Sequence, residues 1–442
     1  MTNLVTKFIL VLVKGRKNLK DFYMNIDYTI IAPLIRGLCI NITGQAQVVI
    51  SEKATTIPAN ALTVDLNTAW DNDDQIFDEE IAGKLFQEAY TAWEFDLAPS
   101  GVEAATQKII RKKQPTCVAI INNQNLETLY WIDQDIDSAK NRSSSKNDLP
   151  FDDYSIRESE NISVYHRNNI VKNKIALVTG GVQGFGEEIV RGLTSSGAIV
   201  YIADINYEDA QHLAGKINVK EHRTLAIAVQ VDVSNEQSVK KMFETVIETT
   251  GGLDICISNA GVLKDGSVLD QDLESFEYVT SINYTGFFIV AKYCSRLLRC
   301  QNRTAPNWKT DIIQINSKSG LMGANKNSAY SGGKFGSIGL TASFALDLVD
   351  YNIKVNAICP GNFFNSPLWS DPEKGLFVQY LKSGKVLGAR SITEVRNFYE
   401  DKIPMKRGCT GIDVMRAIYY IIEQEYETGQ AIPVTGGEVM LH

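Results

Sequence analysis

The sequence predicts an α/β protein: a doubly wound parallel sheet in the C-terminal half, preceded by a small α/β or α+β module. Three observations lead there. From Val171 onward, short apolar runs alternate with helical patterns, as buried parallel strands covered on both faces require. The first run, Ile175–Val178, enters a cluster of glycines and then a helical pattern, in KIALVTGGVQGFG. The next, Ile199–Ala203, ends on an acidic residue, Asp204, 18 residues beyond Gly186.

In chain order, residues 1–136 form the N-terminal module. Phe8–Val13 reads as a first strand. It is too short for the about 20 apolar residues of a membrane span, and Lys14, Arg16 and Lys17 follow it instead of preceding it as in a signal peptide. Ala46–Ile50, Thr116–Ile121 and Leu126–Ile132 read as strands. Asp78–Trp93 reads as an amphipathic helix through Ile81, Leu85, Ala89 and Trp93, and Val102–Arg111 as another. No nucleophile, metal cluster or phosphate loop stands out, so a regulatory unit, an oligomerisation unit and the remnant of a second enzyme all remain open. Residues 137–169 contain SAKNRSSSKND and FDDYSIRESEN, charged and without apolar periodicity, and are expected to be a polar linker. Residues 170–442 carry the strands Ile175–Thr179, Ile199–Asp204, Leu225–Val231, Asp254–Ser258, Ile312–Asn316, Lys354–Ile358 and Gln430–Val434, with helices such as Glu236–Glu248 and Tyr330–Asp350 between them.

The totals exclude several classes of function. A net charge of -8 without a basic patch argues against nucleic-acid binding. The 7 cysteines are scattered with no CxxC pair, which fits thiols in a reducing compartment, so a cytoplasmic protein without a membrane partner is expected. The 4 histidines have no metal-ligand spacing, and no metal site is expected.

Where a strand runs through glycines into a helix, unpaired N–H groups and the helix dipole make an anion site, and missing Cβ atoms let a pyrophosphate approach the backbone. Gly180, Gly181, Gly184 and Gly186 have that placement, in the spacing TGxxxGxG. Asp204 follows at the distance of a carboxylate that binds a ribose diol. The fold is therefore expected to be Rossmann-like. Further features fall at the predicted strand ends: Asp232-Val233, Asn259-Ala260-Gly261, Ser317 and Pro360-Gly361. Tyr330 and Lys334 lie on one face of the long helix, four residues apart. With 18 tyrosines in the chain, a YxxxK pair alone decides nothing, whereas the ordered set does.

These motifs, TGGVQGFG, DV, NAG, the asparagine of SINYTG, Ser317, YSGGK and PG, make the half from Val171 onward resemble the short-chain dehydrogenase/reductase family, in its compact single-domain branch. The resemblance places a catalytic tetrad on Asn283, Ser317, Tyr330 and Lys334. It places cofactor contacts on Gly180, Gln183, Gly184, Phe185, Gly186, Asp204, Ile205, Asp232, Val233, Asn259, Ala260, Gly261, Tyr330, Lys334, Pro360 and Gly361. Tyrosine at a free pKa of about 10 is a weak base near neutrality, and an ammonium nearby lowers that value. Lys334 is expected to do so, Ser317 to hold the substrate oxygen, and Asn283 to hold a water linking Lys334 to solvent. The family pattern implies a homotetramer or homodimer.

Asp204 repels a 2′-phosphate, and Gln183 and Ile205 stand where NADP-preferring relatives place a basic residue, so NAD is the expected cofactor. The long segment after Gly361, about 362–405, is expected to form a substrate lobe. Its cations Lys374, Lys382, Lys385 and Arg390, with Lys318 beside Ser317, are candidates to meet an anionic group or are merely solvated charges. The stretch from SPLWSDPEKGLFVQYL to PVTGGEVML resembles sugar-alcohol dehydrogenases that act on sorbitol 6-phosphate. That implies NAD-linked interconversion of sorbitol 6-phosphate and fructose 6-phosphate, or of a related polyol or sugar phosphate. Reduction of a different carbonyl and NAD binding without turnover, as a regulatory protein, are the competing readings.

Overall fold

The structure, a computed structural model, describes residues 44–52, 62–65, 117–122, 125–145 and 170–440, apart from 303, 304, 306 and 383, together with a few positions between 32 and 40. The chain divides into two compact units, the first drawn mainly from residues 1–164 and the second from residues 165–442.

In the first unit, β1 (Val48–Glu52), β2 (Leu62–Asp65), β3 (Cys117–Asn122) and β4 (Asn125–Asp133) form a sheet in the order β1-β4-β3-β2, followed by α1 (Ile136–Ser145). β4 pairs antiparallel with β1 and β3, while β2 pairs parallel with β3. Three strands fall where the apolar runs place them. β2 was not anticipated, since four residues carry no periodicity and only their pairing with β3 makes them a strand. α1 corrects the expected linker, whose first residues are helical. The Asp135 carboxylate accepts the Ser138 N–H at 2.8 Å and its hydroxyl at 2.9 Å, capping the helix, and Ile136 and Ala139 are fully buried. Two apolar residues are too few to register as a periodic pattern. The helices expected over Asp78–Trp93 and Val102–Arg111, and the strand over Phe8–Val13, lie outside the described residues.

The second unit runs β5 (Ile175–Thr179), α2 (Gly184–Ser195), β6 (Ile199–Asp204), α3 (Tyr207–Glu221), β7 (Ala226–Gln230), α4 (Glu236–Thr250), β8 (Ile255–Ser258), α5 (Leu273–Thr280), α6 (Gly286–Asn302), β9 (Thr310–Ile315), α7 (Ser328–Leu348), β10 (Ile353–Pro360), α8 (Pro367–Ser370), α9 (Leu376–Lys382), α10 (Ile392–Asp401), α11 (Gly411–Glu423) and β11 (Ala431–Val434). The strands form one sheet in the order β11-β10-β9-β8-β5-β6-β7, every pair parallel. Its direction of progression reverses between β5 and β8, so the loops leaving these two strands flank one crevice at the carboxyl edge, where such sheets bind ligands.

Apolar burial holds this layer together. β5, β6 and β9 are buried along their whole length. Ile189, Val190 and Leu193 of α2, Ala210 and Leu213 of α3, and Val414, Ile418 and Ile421 of α11 join them in one core. α11 is started by a capping box in which Thr410 and Asp413 satisfy each other's backbone N–H groups. Between α5 and α6 the backbone widens into a π-helical turn, Ser281–Thr285, closed by the Gly286 N–H donating to the Ser281 carbonyl. The segment after β10 builds a small core of its own from Phe364, Trp369, Phe377, Val395 and Ile403, with Trp369 4.9 Å from Phe364 and 5.3 Å from Tyr399 between ring centroids.

Candidate functional site

The glycine loop joins β5 to α2 by a route only glycine permits. Gly180 and Gly184 have φ of +63° and +59°. A Cβ on Gly186 would lie 1.9 Å from the Gly180 carbonyl oxygen and 2.7 Å from the Asn259 amide nitrogen. Asn259, at the end of β8, laces the loop across the switch point. Its Nδ2 donates to the carbonyls of Thr179 (2.9 Å) and Gly180 (3.0 Å), and its own N–H donates to the Thr179 hydroxyl at 3.0 Å. The Ala260 N–H donates to the same hydroxyl at 3.1 Å. Asn259 therefore shapes the loop through its side chain. At the start of α2 the Gln183 side chain makes no cap hydrogen bond, and a Cβ on Gly184 would meet open space. That leaves a cradle of helix N–H groups suited to a phosphate group. Beside it, the Asp204 carboxylate is 8% exposed and accepts the N–H groups of Val182 (3.3 Å) and Asn206 (3.0 Å), while Ile205 is 68% exposed. Phe185 stacks on Phe363 with centroids 4.6 Å apart, linking the loop to the segment after β10. These residues fit a dinucleotide: a pyrophosphate at α2 and a ribose near Asp204. Asp232 is occupied in its own turn, accepting the N–H and hydroxyl of Ser234 at 2.9 and 2.6 Å, and Val233 packs against Gly286.

The tetrad residues converge at the carboxyl ends of β8, β9 and β10. Ser317 follows β9, and its side chain lies beside Tyr330 near the start of α7, where it favours the phenolate. Lys334, 4% exposed, lies with its ammonium 5.7 Å from the Tyr330 ring centroid and donates to the Ile315 carbonyl at 2.8 Å. Asn316 fixes strand to helix: its Nδ2 lies within hydrogen-bond distance of the Lys334 carbonyl (3.0 Å) and the Ser337 hydroxyl (3.1 Å), and its Oδ1 accepts the Ser317 N–H at 2.8 Å. Asn283, inside the π-helical turn, spends both ends of its amide on Val262, accepting its N–H and donating to its carbonyl, each at 2.8 Å. It thereby ties the segment after Asn259-Ala260-Gly261 to the helix bearing it.

The acid–base balance departs from the simple expectation that lysine lowers the tyrosine pKa. Burial pushes Tyr330 above its ordinary value, only partly opposed by the neighbouring Ser317 side chain. Burial also holds Lys334 down at about 8. Burial thus keeps Tyr330 protonated near neutral pH, while Lys334 still carries its charge below about 8. Cys359 at the end of β10, a thiol pushed up to about 12 by burial, lies close to Lys334.

The expected substrate cations are distributed differently. Lys318 is paired with Glu438, and only 21% and 13% of the two side chains are exposed. The Lys385 ammonium sits 3.9 Å over the Tyr380 ring. Lys374, Lys382 and Arg390 are exposed on the lobe. Among the described residues, no hydrogen bond or ion pair joins Lys382, Lys385 or Arg390 to Ser317 or Tyr330. Gly361 donates its N–H to the Val434 carbonyl at 2.9 Å and runs alongside Thr435 and Glu438. Glu438, Asn316, Cys359 and Phe363 were not identified from the sequence, because each gains its place from partners distant in the chain.

With this geometry in hand, comparison with known proteins is direct. Residues 174–373 match the short chain dehydrogenase family. Sorbitol-6-phosphate 2-dehydrogenase of Escherichia coli (strain K12) is 37% identical over 270 residues, which is 61% of this chain and 99% of the relative. The 3-oxoacyl-[acyl-carrier-protein] reductase FabG of Aquifex aeolicus (strain VF5) is 30% identical over 273 residues, 60% of this chain and 98% of that protein. The crystal structure of sorbitol-6-phosphate 2-dehydrogenase SrlD from Erwinia amylovora superposes with a TM-score of 0.55 at 36% identity, over 60% of this chain and 100% of that one. All lie within the span that holds the glycine cradle and the Ser317–Tyr330–Lys334 cluster, and on that span the chain belongs to the short chain dehydrogenase family.

Proposed function

We propose that this chain is an NAD-dependent dehydrogenase that interconverts a secondary alcohol and a ketone on a polyol or sugar phosphate, with sorbitol 6-phosphate and fructose 6-phosphate as the leading pair. The observation that carries the reading is the juxtaposition of Ser317 and Tyr330 beside buried Lys334, at the same edge of the sheet as the glycine cradle. Bound nicotinamide would accept the hydride from the alcohol carbon or return it to the ketone. Ser317 holds the substrate oxygen, and Tyr330 exchanges the proton with it. In reduction, Tyr330 is already protonated and donates. In oxidation, the positive charge of oxidised nicotinamide and of protonated Lys334 favours the phenolate that must form. Asn316 and Asn283 hold the pieces in register.

Asp204 supports NAD over NADP, because its carboxylate is fixed at the end of β6 where a 2′-phosphate would be repelled. The polyol phosphate rests on the kinship with the Escherichia coli and Erwinia amylovora proteins. One observation favours a second reading, reduction of a carbonyl without phosphate: the cation nearest Ser317 in sequence, Lys318, is neutralised by Glu438. The deciding experiment measures NADH formation with NAD or NADP on sorbitol 6-phosphate and on sorbitol, with Tyr330→Phe as control. Turnover confined to the phosphorylated polyol and lost in the variant supports the full reading. Turnover on sorbitol alone removes the phosphate, and tight NADH binding without any turnover removes the enzyme. Replacing Asp204 by Ser together with Ile205 by Arg is expected to move the kcat/KM preference toward NADP.

A further inference from the structure

The C-terminal turn after β11 brings one carboxylate to the carboxyl edge of the sheet. Gly436 and Gly437, with φ of +63° and +91°, reverse the chain directly before Glu438. Thr435 braces the turn, its hydroxyl lying 3.3 Å from the Val439 N–H and 3.2 Å from the Val439 carbonyl. Glu438 is therefore held by the fold, and its two oxygens have different surroundings. Oε1 accepts the ammonium of Lys318, the residue following Ser317. Oε2 is buried and has no protein donor. An unsatisfied buried carboxylate oxygen is unfavourable, so a group that persists in this state is one whose partner arrives from outside.

The surroundings say what kind of partner. Glu438 lines a cavity of about 340 Å³ together with Gly361, Asn362, Thr435, Met405 and Arg407; Ser317 and Tyr330 are not among its walls, and Glu438 is tied to them through Lys318, the residue following Ser317. A Cβ on Gly361 would approach Oε2 within 3.3 Å, so the absent side chain there leaves the oxygen room. An anion does not suit this place: Lys318 is already neutralised by Glu438, and Arg407 is bound through both its terminal nitrogens to Asp413. A cation is not called for, because the Lys318–Glu438 pair carries no net charge. The remaining partner is a neutral hydrogen-bond donor.

Resting on the dehydrogenase reading, we propose that Glu438 is a substrate-reading residue. Its Oε2 accepts a hydrogen bond from a hydroxyl of the polyol chain whose reacting carbinol is held by Ser317 and Tyr330. Lys318 acts through Glu438, as the positioning residue that fixes the carboxylate. Any phosphate on the substrate then lies at the end remote from Lys318, since it would be repelled by Glu438.

The test uses the full chain as Glu438→Gln, Glu438→Leu and the double variant Lys318→Met with Glu438→Leu, which removes the pair without leaving a buried charge. Steady-state oxidation of sorbitol 6-phosphate and sorbitol is measured, with the NADH dissociation constant from fluorescence and the thermal midpoint alongside. A hydrogen bond to a charged acceptor is worth roughly 10- to 100-fold. The expected result is a rise of that size in KM for both polyols, with kcat and the NADH constant much less affected, in the double variant as well. Polyol KM within twofold of wild type in Glu438→Gln and in the double variant overturns the proposal. So does an equal rise in the NADH constant, which would assign the oxygen to the cofactor. If Glu438→Leu alone does not fold, the other two variants decide. A wild-type protein that turns over no polyol removes the dehydrogenase reading itself, and the role of Glu438 with it.

Discussion

Replacing Gly186 by alanine would test the glycine loop most sharply. The new Cβ would fall 1.9 Å from the Gly180 carbonyl oxygen, a backbone atom that cannot rotate away, and 2.7 Å from the Asn259 amide. Relief requires the loop to move off Asn259, whose Nδ2 holds the Thr179 and Gly180 carbonyls. Overpacking of this kind costs about 1–3 kcal/mol and each lost hydrogen bond about 1 kcal/mol, so a destabilisation of about 3–5 kcal/mol is expected. For a unit of this size that lowers Tm by on the order of 10 °C. Gly184→Ala makes the contrast. Its Cβ meets nothing, so stability falls only by the left-handed backbone penalty of about 1–2 kcal/mol. The methyl group would nevertheless occupy the open space at the start of α2, and NADH affinity should fall roughly 10- to 100-fold through lost phosphate hydrogen bonds. Differential scanning fluorimetry and NADH fluorescence titration of both variants read the two effects separately. Equal, small Tm losses in the two variants would refute the close approach at Gly186. Unchanged NADH affinity in Gly184→Ala would refute the phosphate cradle.

Other expectations follow from the same geometry. The folded-state pKa of Lys334, about 8, lies below the ordinary 10.5, so between these values the unfolded chain holds a proton that the folded chain has released. Stability contributed at this site therefore rises with pH from 8 to 10.5, and the burial penalty, about 3 kcal/mol, is fully present below 8. Lys334→Met, which cannot titrate, should thus lose about 3 kcal/mol relative to wild type from pH 8 to 10.5 in urea titrations, while abolishing turnover; a constant difference would contradict the buried ammonium. Because burial raises the pKa of Tyr330, ketone reduction should be flat between pH 6 and 8 while polyol oxidation climbs, as kcat/KM profiles in both directions will show. Trp369→Ala removes the ring that Phe364, Phe377, Tyr380 and Tyr399 surround and should cost about 3–5 kcal/mol. Hydrogen exchange should then accelerate in residues 364–403 while β5 and β6 stay protected.

The dehydrogenase half was legible because its signals are local. A buried parallel strand is a continuous apolar run, and β5 and β6 begin and end on the residues those runs predicted. The glycines, Asp204 and the Tyr330–Lys334 spacing are likewise written within single elements. What escaped is whatever depends on partners far apart in the chain. Glu438 stands 120 residues from Lys318, and nothing in PVTGGEVML announces that pairing. Asn316 reads as a strand end until α7 packs against it. The acid–base balance of Tyr330 is hidden for a related reason: a helical spacing shows that lysine is near, but only the folded surroundings show the burial that weighs against it. The lobe cations illustrate the converse, since charge counted along a sequence does not say which way a side chain faces.

The π-helical turn at Ser281–Thr285 bears on what changes of length this protein can absorb. It lodges one surplus residue in an otherwise α-helical run from Leu273 to Asn302. Such a turn takes up the extra residue while the helices on either side keep their facing, so deleting one residue there would let the run close into a regular helix with Phe287, Val290, Cys294 and Leu298 still buried and Gln301 still bonded to the Leu253 backbone. What would vanish is the widened turn itself, and with it the seat from which the Asn283 amide holds Val262. Single-residue deletions at these five positions should therefore remain in the folded fraction of a deletion library while losing turnover, whereas deletions farther along the same run, which would rotate the following buried face by about 100°, should be missing from it.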